Sequence, residues 1–135
     1  MTTTSKIAIV TGAGSGIGKA TAMALLKDGW SVVLAGRRLA NLEEVAAEAK
    51  ALNADYQVLA VPTDVTQEDS VANLFAQCVK TFGRVDLLFN NAGVLSTGFS
   101  WEIPAETWQR SLDVNVTGII NGIRAFVPRL LAADR

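Results

Sequence analysis

No histidine occurs anywhere in the 135 residues. Its absence removes the commonest zinc ligand and the commonest general base of neutral-pH catalysis together. A single cysteine, Cys78, excludes an internal disulfide and suits a reducing compartment. Neither sign of charge is in excess: 12 Lys and Arg against 13 Asp and Glu leave a net charge of −1. No basic surface dominates, so nucleic acid is not an expected partner. Long apolar runs are missing too. Arg124 and Arg129 interrupt the most hydrophobic region, so no membrane span is expected. The opening Met1-Thr2-Thr3-Thr4-Ser5-Lys6 is too short and polar for a signal peptide, which leaves a cytoplasmic protein as the expectation. With 50% hydrophobic and 19% charged residues, the composition suits one α/β domain over residues 1–135 with a sizeable core.

Against these absences stands one concentrated feature, Thr11-Gly12-Ala13-Gly14-Ser15-Gly16-Ile17-Gly18. It follows Ile7-Ala8-Ile9-Val10, a buried strand by its apolar run. It precedes Ala20, Met23, Ala24 and Leu25, which repeat at helical intervals. In a strand–turn–helix setting the glycines have separate tasks. Gly12 permits the tight turn, Gly16 lets the backbone approach a ligand, and Gly18 lets the new helix pack against the strand. The free N–H groups and positive dipole end of that helix then face an anion, such as a dinucleotide pyrophosphate. A Walker phosphate loop is excluded, because it needs glycine where Ala13 stands and Ser or Thr where Ala20 stands. GxGxxG read from Gly12 fails at Ile17. The spacing present is TGxxxGxG. A ligand-free Gly/Ser turn is the ordinary alternative.

The rest of the chain alternates in the same way. Lys27-Asp28-Gly29 ends the first helix, and Trp30 to Ala35 forms a second strand. Leu39, Leu42, Val45, Ala46 and Ala49 mark an amphipathic helix, with Glu43, Glu44, Glu48 and Lys50 on its wet side. Gln57 to Val61 is a third strand stopped by Pro62. Thr66 is the expected N-cap of a helix through Val71, Leu74, Phe75, Val79 and Phe82. Val85 to Phe89 is a fourth strand. A loop runs from Asn90 to Ile103, and Pro104 opens a long helix. Nearly all-apolar strands separated by helices imply a parallel sheet covered on both faces. Right-handed crossovers then give the order 3-2-1-4, half of a doubly wound dinucleotide-binding fold. Strand 4 would stand as a long apolar edge, so the sequence looks cut short. Cys78, in register with Leu74, Phe75 and Phe82, reads as a core residue. Trp101 and Trp108 read as pocket lining or as core or interface packing.

With TGxxxGxG at one end and Asn90-Asn91-Ala92-Gly93 after strand 4, the chain resembles the short-chain dehydrogenase/reductases. The resemblance covers essentially all 135 residues but only the N-terminal half of a typical member. It implies a Rossmann-like fold. It also implies cofactor contacts by Gly12, Gly14, Ser15, Gly16, Ile17 and Gly18, an adenine contact by Asp64 and Val65, and a ribose contact by Asn91, Ala92 and Gly93. Asn115, in Asp113-Val114-Asn115-Val116-Thr117-Gly118, matches the active-site asparagine that disturbs the long helix and positions a water. Taken singly, each of these has an ordinary reading as a turn former or a solvated helix residue. The four motifs in one order carry the resemblance.

Cofactor choice is read at the end of strand 2. A carboxylate there accepts hydrogen bonds from a free ribose 2′-hydroxyl, whereas an arginine pairs with a 2′-phosphate. This chain has Ala35-Gly36-Arg37-Arg38, which favours NADP(H) through Arg37, with NAD(H) as the alternative. Ser15, where many NADP users of the family carry a second basic residue, points the other way. The resemblance further implies an alcohol or carbonyl substrate and a Tyr-x-x-x-Lys pair with a preceding serine. The only tyrosine is Tyr56, with Ala60 four residues on, so this chain is expected to be inactive. It carries the cofactor half of an oxidoreductase or serves as a non-catalytic nucleotide-binding or subunit-interaction module. A homodimer or homotetramer of the full-length protein is implied, with Gly118 and Gly122 allowing close approach of a partner.

Overall fold

The computed structural model describes residues 6–133. Four parallel strands form one sheet: β1 (Ile7–Thr11), β2 (Ser31–Gly36), β3 (Val58–Pro62) and β4 (Leu87–Phe89), in the order β3-β2-β1-β4. The helices α1 (Gly16–Lys27), α2 (Leu39–Leu52) and α3 (Glu68–Phe82) link the strands, and α4 (Ala105–Leu112) and α5 (Gly118–Ala132) follow. The expected doubly wound architecture and strand order are therefore present.

Alternation along the strands builds two cores, one on each face of the sheet. Ile7, Ile9, Val33 and Ala35 join Val71, Leu74, Phe75 and Cys78 of α3 on one side. Val10, Val32 and Leu34 join Ala22 and Leu26 of α1 and Leu42, Val45 and Ala49 of α2 on the other. β1 and most of β2 are thus buried on both faces, which explains their unbroken apolar sequence. Phe75 is fully buried, and its ring lies 6.2 Å from that of Phe126 in α5.

Several local expectations are corrected. β3 does not stop before Pro62 but includes it, opposite Gly36. Proline is tolerated because β3 is an edge strand with no ladder on its outer side. Thr66 does not cap α3. The helix starts after Gln67, while the Thr66 hydroxyl and amide both donate to Asp64 Oδ1, at 2.7 and 3.0 Å. β4 is three residues long, not five, and only half-buried, so it is not the long edge expected. At its start the Asp86 carboxylate accepts from the Ile7 amide and from Arg84 Nε, both at 2.8 Å. A side chain there takes the role of a backbone carbonyl. Gly118 and Gly122 do not face a partner. A Cβ at 118 would lie 2.7 Å from Val65 Cγ2, and one at 122 would lie 2.7 Å from Asn90 Oδ1. Both glycines let α5 lie against the sheet and its loops. Neither Trp101 nor Trp108 joins the core: Trp101 is exposed and stacks on Phe99, and Trp108 donates its indole N–H to the Ser100 carbonyl.

Candidate cofactor site

The carboxyl ends of β1, β2, β3 and β4 meet at one edge of the sheet, and the turns that follow them enclose the main cleft. After β1 the chain turns through Gly12 at φ 63° and Gly16 at φ 56°, a region that side chains with a Cβ rarely occupy. Ser15 precedes α1 in extended conformation and makes no side-chain cap, and no acidic residue lies in the first turn. The first amides of α1 and the positive dipole end therefore remain available to an anion. A Cβ at Gly16 would meet nothing within 4 Å, so the space in front of the turn is open. Ile17 is 72% exposed beside it, an apolar side chain left for a ligand to cover.

Gly18 works on the other side of the turn. A Cβ there would overlap the Gly12 carbonyl oxygen and lie 2.6 Å from Asn91 Nδ2. Asn91 itself donates from Nδ2 to the Gly12 carbonyl at 3.3 Å. Behind this contact the Thr11 hydroxyl accepts from the amides of Asn91 and Ala92, both at 2.9 Å, and donates to the Phe89 carbonyl at 3.3 Å. One hydroxyl thus joins the ends of β1 and β4 and sets the positions of Asn91, Ala92 and Gly93.

Two hollows make up the cleft and share Gly12, Gly36, Arg37 and Gly93. The larger, about 360 Å³, runs over Gly12, Gly14 and Ser15 to Arg37, Arg38 and Asn41. Its lining contains two arginines and no carboxylate. Neither guanidinium makes an ion pair or hydrogen bond among the described residues. The smaller, about 170 Å³, lies between Asp64, Val65, Ala92, Val94 and Val114. Asp64 receives the Thr66 donors on Oδ1, and its amide donates to Ser70 Oγ at 2.9 Å. Both its turn-forming role and its place at the cleft are therefore real.

Asn115 sits at a local break in the long helix. Residues Asp113–Thr117 form a π-helical turn, and the Gly118 amide bonds back to the Asp113 carbonyl, five residues earlier. The Asn115 side chain then mimics a strand partner: Oδ1 accepts from the Val94 amide and Nδ2 donates to the Val94 carbonyl, both at 2.9 Å. It pins the loop after β4 and does not project free.

Of the expected residues, Gly12, Gly14, Ser15, Arg37, Asp64, Val65, Ala92 and Gly93 line the cleft. Gly16 and Ile17 stand at its mouth, and Gly18, Asn91 and Asn115 support it from behind. Sequence reasoning missed Asn121, which is buried in α5 and donates to the Val65 carbonyl at 2.9 Å. It also missed Asn41 and Arg110. Asn121 left one signal, a polar residue amid an apolar helix. Among the described residues no cluster of His, Cys, Asp or Glu could hold a metal ion, and no helix is long and apolar enough to cross a membrane. Tyr56 lies beside Trp30 and Asn53 at the opposite end of the sheet.

The open amides at the start of α1 and the two arginines of the larger hollow suit an anionic ligand. Gly12 and Gly18 stand where a Cβ would crowd the turn or its support, and Gly16 where a positive φ disfavours one. A doubly wound parallel sheet with this site defines a nucleotide-binding α/β protein. The sequence matches the family described as short chain dehydrogenase over residues 6–135, and the chain belongs to that family. It is 38% identical over 132 residues to an uncharacterized oxidoreductase of Listeria monocytogenes, covering 98% of this chain and 52% of that protein. The chain thus spans about half the length of the curated relatives it matches. Its fold is similar to a short chain dehydrogenase/reductase from Burkholderia phymatum in complex with NAD, with a TM-score of 0.92 and 39% identity. That match covers 97% of this chain and 46% of the other. A metagenomic short-chain oxidoreductase in complex with NADP gives a TM-score of 0.88 at 34% identity, covering 96% of this chain and 58% of the other.

Proposed function

We propose that this chain is the cofactor-binding half of an NADP(H)-dependent oxidoreductase that transfers hydride between the nicotinamide cofactor and an alcohol or carbonyl substrate. The observation that carries the choice of cofactor is the larger hollow, where Arg37 and Arg38 stand without a carboxylate. A free ribose 2′-hydroxyl favours an acceptor at this point, whereas a 2′-phosphate favours a planar guanidinium fork. The two structural neighbours were solved with NAD and with NADP respectively, which supports a nicotinamide cofactor and leaves the choice to the local residues. In this reading the amides at the start of α1 hold the pyrophosphate, and Asp64 and Val65 hold the adenine. Gly93 lets the ribose approach, and Asn115 holds Val94 so that the loop keeps its course. Hydride transfer is the chemistry the bound cofactor supplies. Proton transfer to the substrate oxygen needs a group that these residues do not include, since Tyr56 is at the wrong end of the sheet.

The test is the ratio of NADPH to NADH affinity, measured by titration of cofactor fluorescence. Arg37→Asp is expected to move that ratio toward NADH by about tenfold or more, the scale of one lost charge-assisted contact. An unchanged ratio would overturn the assignment of Arg37. The position of Tyr56 favours a second reading for this 135-residue chain, a non-catalytic nucleotide-binding module. In that case NADPH binds and no carbonyl compound is reduced.

Self-association is part of the proposal. Leu112, Val116, Ile120, Ile123, Val127 and Leu131 recur at helical intervals from α4 through α5 and are 38–72% exposed. A continuous apolar stripe of that length is unusual on a monomer and fits a second copy of the same helix.

A further inference from the structure

One cation at the cleft is unused by the reading above. Arg110 lies in the last turn of α4, four residues before Val114, so the two share a helix face. Both line the smaller hollow with Asp64, Val65 and Ala92. Arg110 is exposed, and its guanidinium makes no ion pair or hydrogen bond among the described residues, although Glu106 stands one turn before it. The side chain therefore holds no anion, and it edges a hollow whose lining includes the apolar Val65 and Val114. Arg37, by contrast, borders both hollows and is the cation placed to meet a phosphate.

We propose that Arg110 closes the base end of the cofactor site, laying its guanidinium plane over the outer face of the bound purine. Val65 and Val114 then form the apolar wall of the same pocket. The inference rests on the reading of the cleft as an adenine dinucleotide site and adds a residue to it. A guanidinium is planar and weakly hydrated, so it stacks on aromatic faces more readily than an ammonium does. Such contacts gain strength when the ligand excludes water from them. The contact is made to the base, so it is blind to the 2′-phosphate that Arg37 is proposed to read.

The experiment is calorimetric titration of the intact chain and of Arg110→Met with ADP, 2′,5′-ADP and inorganic pyrophosphate. Methionine keeps an unbranched apolar stem while removing the plane and the charge. Thermal unfolding of both proteins reports whether the fold is unchanged. Expected is a loss of about three- to tenfold for ADP and for 2′,5′-ADP alike, with pyrophosphate unaffected, the range of a partly desolvated cation–π contact. A loss confined to 2′,5′-ADP would show that Arg110 meets phosphate and would overturn the proposal. Equal loss for pyrophosphate, or no change with any probe, would overturn it as well. If the unaltered chain binds neither adenine nucleotide, the cofactor reading itself falls and this inference with it. Binding by the unaltered chain with no effect of the substitution removes Arg110 alone.

Discussion

Gly16 and Gly18 stand two residues apart and answer to different constraints. Gly16 needs a backbone conformation with positive φ and has empty space before it, whereas Gly18 has ordinary freedom but no room for a Cβ. Cys78 shows the same distinction between a reactive residue type and its setting. Its thiol is buried, donates weakly to the Arg84 carbonyl at 3.6 Å, and has its pKa pushed up from 9.0 to about 12. Burial is the main cause. The Arg129 charge opposes the rise and the Asp86 charge adds to it. The neutral thiol is preferred in the fold, so its contribution is full below pH 9 and is lost as pH rises toward about 12. Alkaline denaturation should therefore be steeper for the unaltered chain than for Cys78→Ala between those limits. Chemical unfolding at stepped pH measures the difference. The thiol should also resist alkylation at neutral pH while the chain is folded.

At the scale of elements, the π-helical turn between α4 and α5 is the joint that matters. It brings Asn115 to Val94, and two hydrogen bonds there hold the loop after β4. Asn115→Ala is expected to free that loop. Amide exchange of Val94 should quicken by about tenfold or more, while exchange in β1 and β2 stays slow, since only the local opening is affected. Uniform acceleration would show a global loss of stability instead. The order of strands and the faces of α2 and α3 were legible in the sequence, because apolar runs and helical repeats depend on burial alone. The joints were less so. Thr66 has the chemistry of a cap, but the nearer Asp64 carboxylate captured both of its donors. Pro62 has the chemistry of a strand breaker, but an edge strand does not need its missing amide. Gly118 and Gly122 marked a close approach correctly and its partner wrongly, since small residues do not say which surface they admit. Arg110 carried no signal, because its place depends on how α4 meets the cleft.

At the scale of the molecule, two surfaces stand out: the cleft at the strand ends and the apolar stripe of α4 and α5. If the stripe joins two copies, a charge at its middle should separate them. Ile123→Asp is expected to turn a dimer into a monomer in sedimentation at micromolar concentration, with the helical content retained. A monomeric unaltered chain would exclude the interface. The Thr11 hydroxyl and the β1–β4 ladder described above have a further consequence, for the order of assembly. Strands β1 and β2 pair across short range, Ile7 with Ser31, whereas β1 and β4 pair across long range, Ala8 with Leu87. Closing the longer loop costs about 1 kcal/mol more in chain entropy, so β4 should join a preformed β1–β2–β3 unit late in folding. The cleft is completed only in that last step, when Thr11 takes hold of Asn91 and Ala92. A nucleotide that needs both sides of the cleft would then act after the folding barrier, holding the last-joined strand in place. It would lengthen the life of the folded chain and leave the speed of folding unchanged.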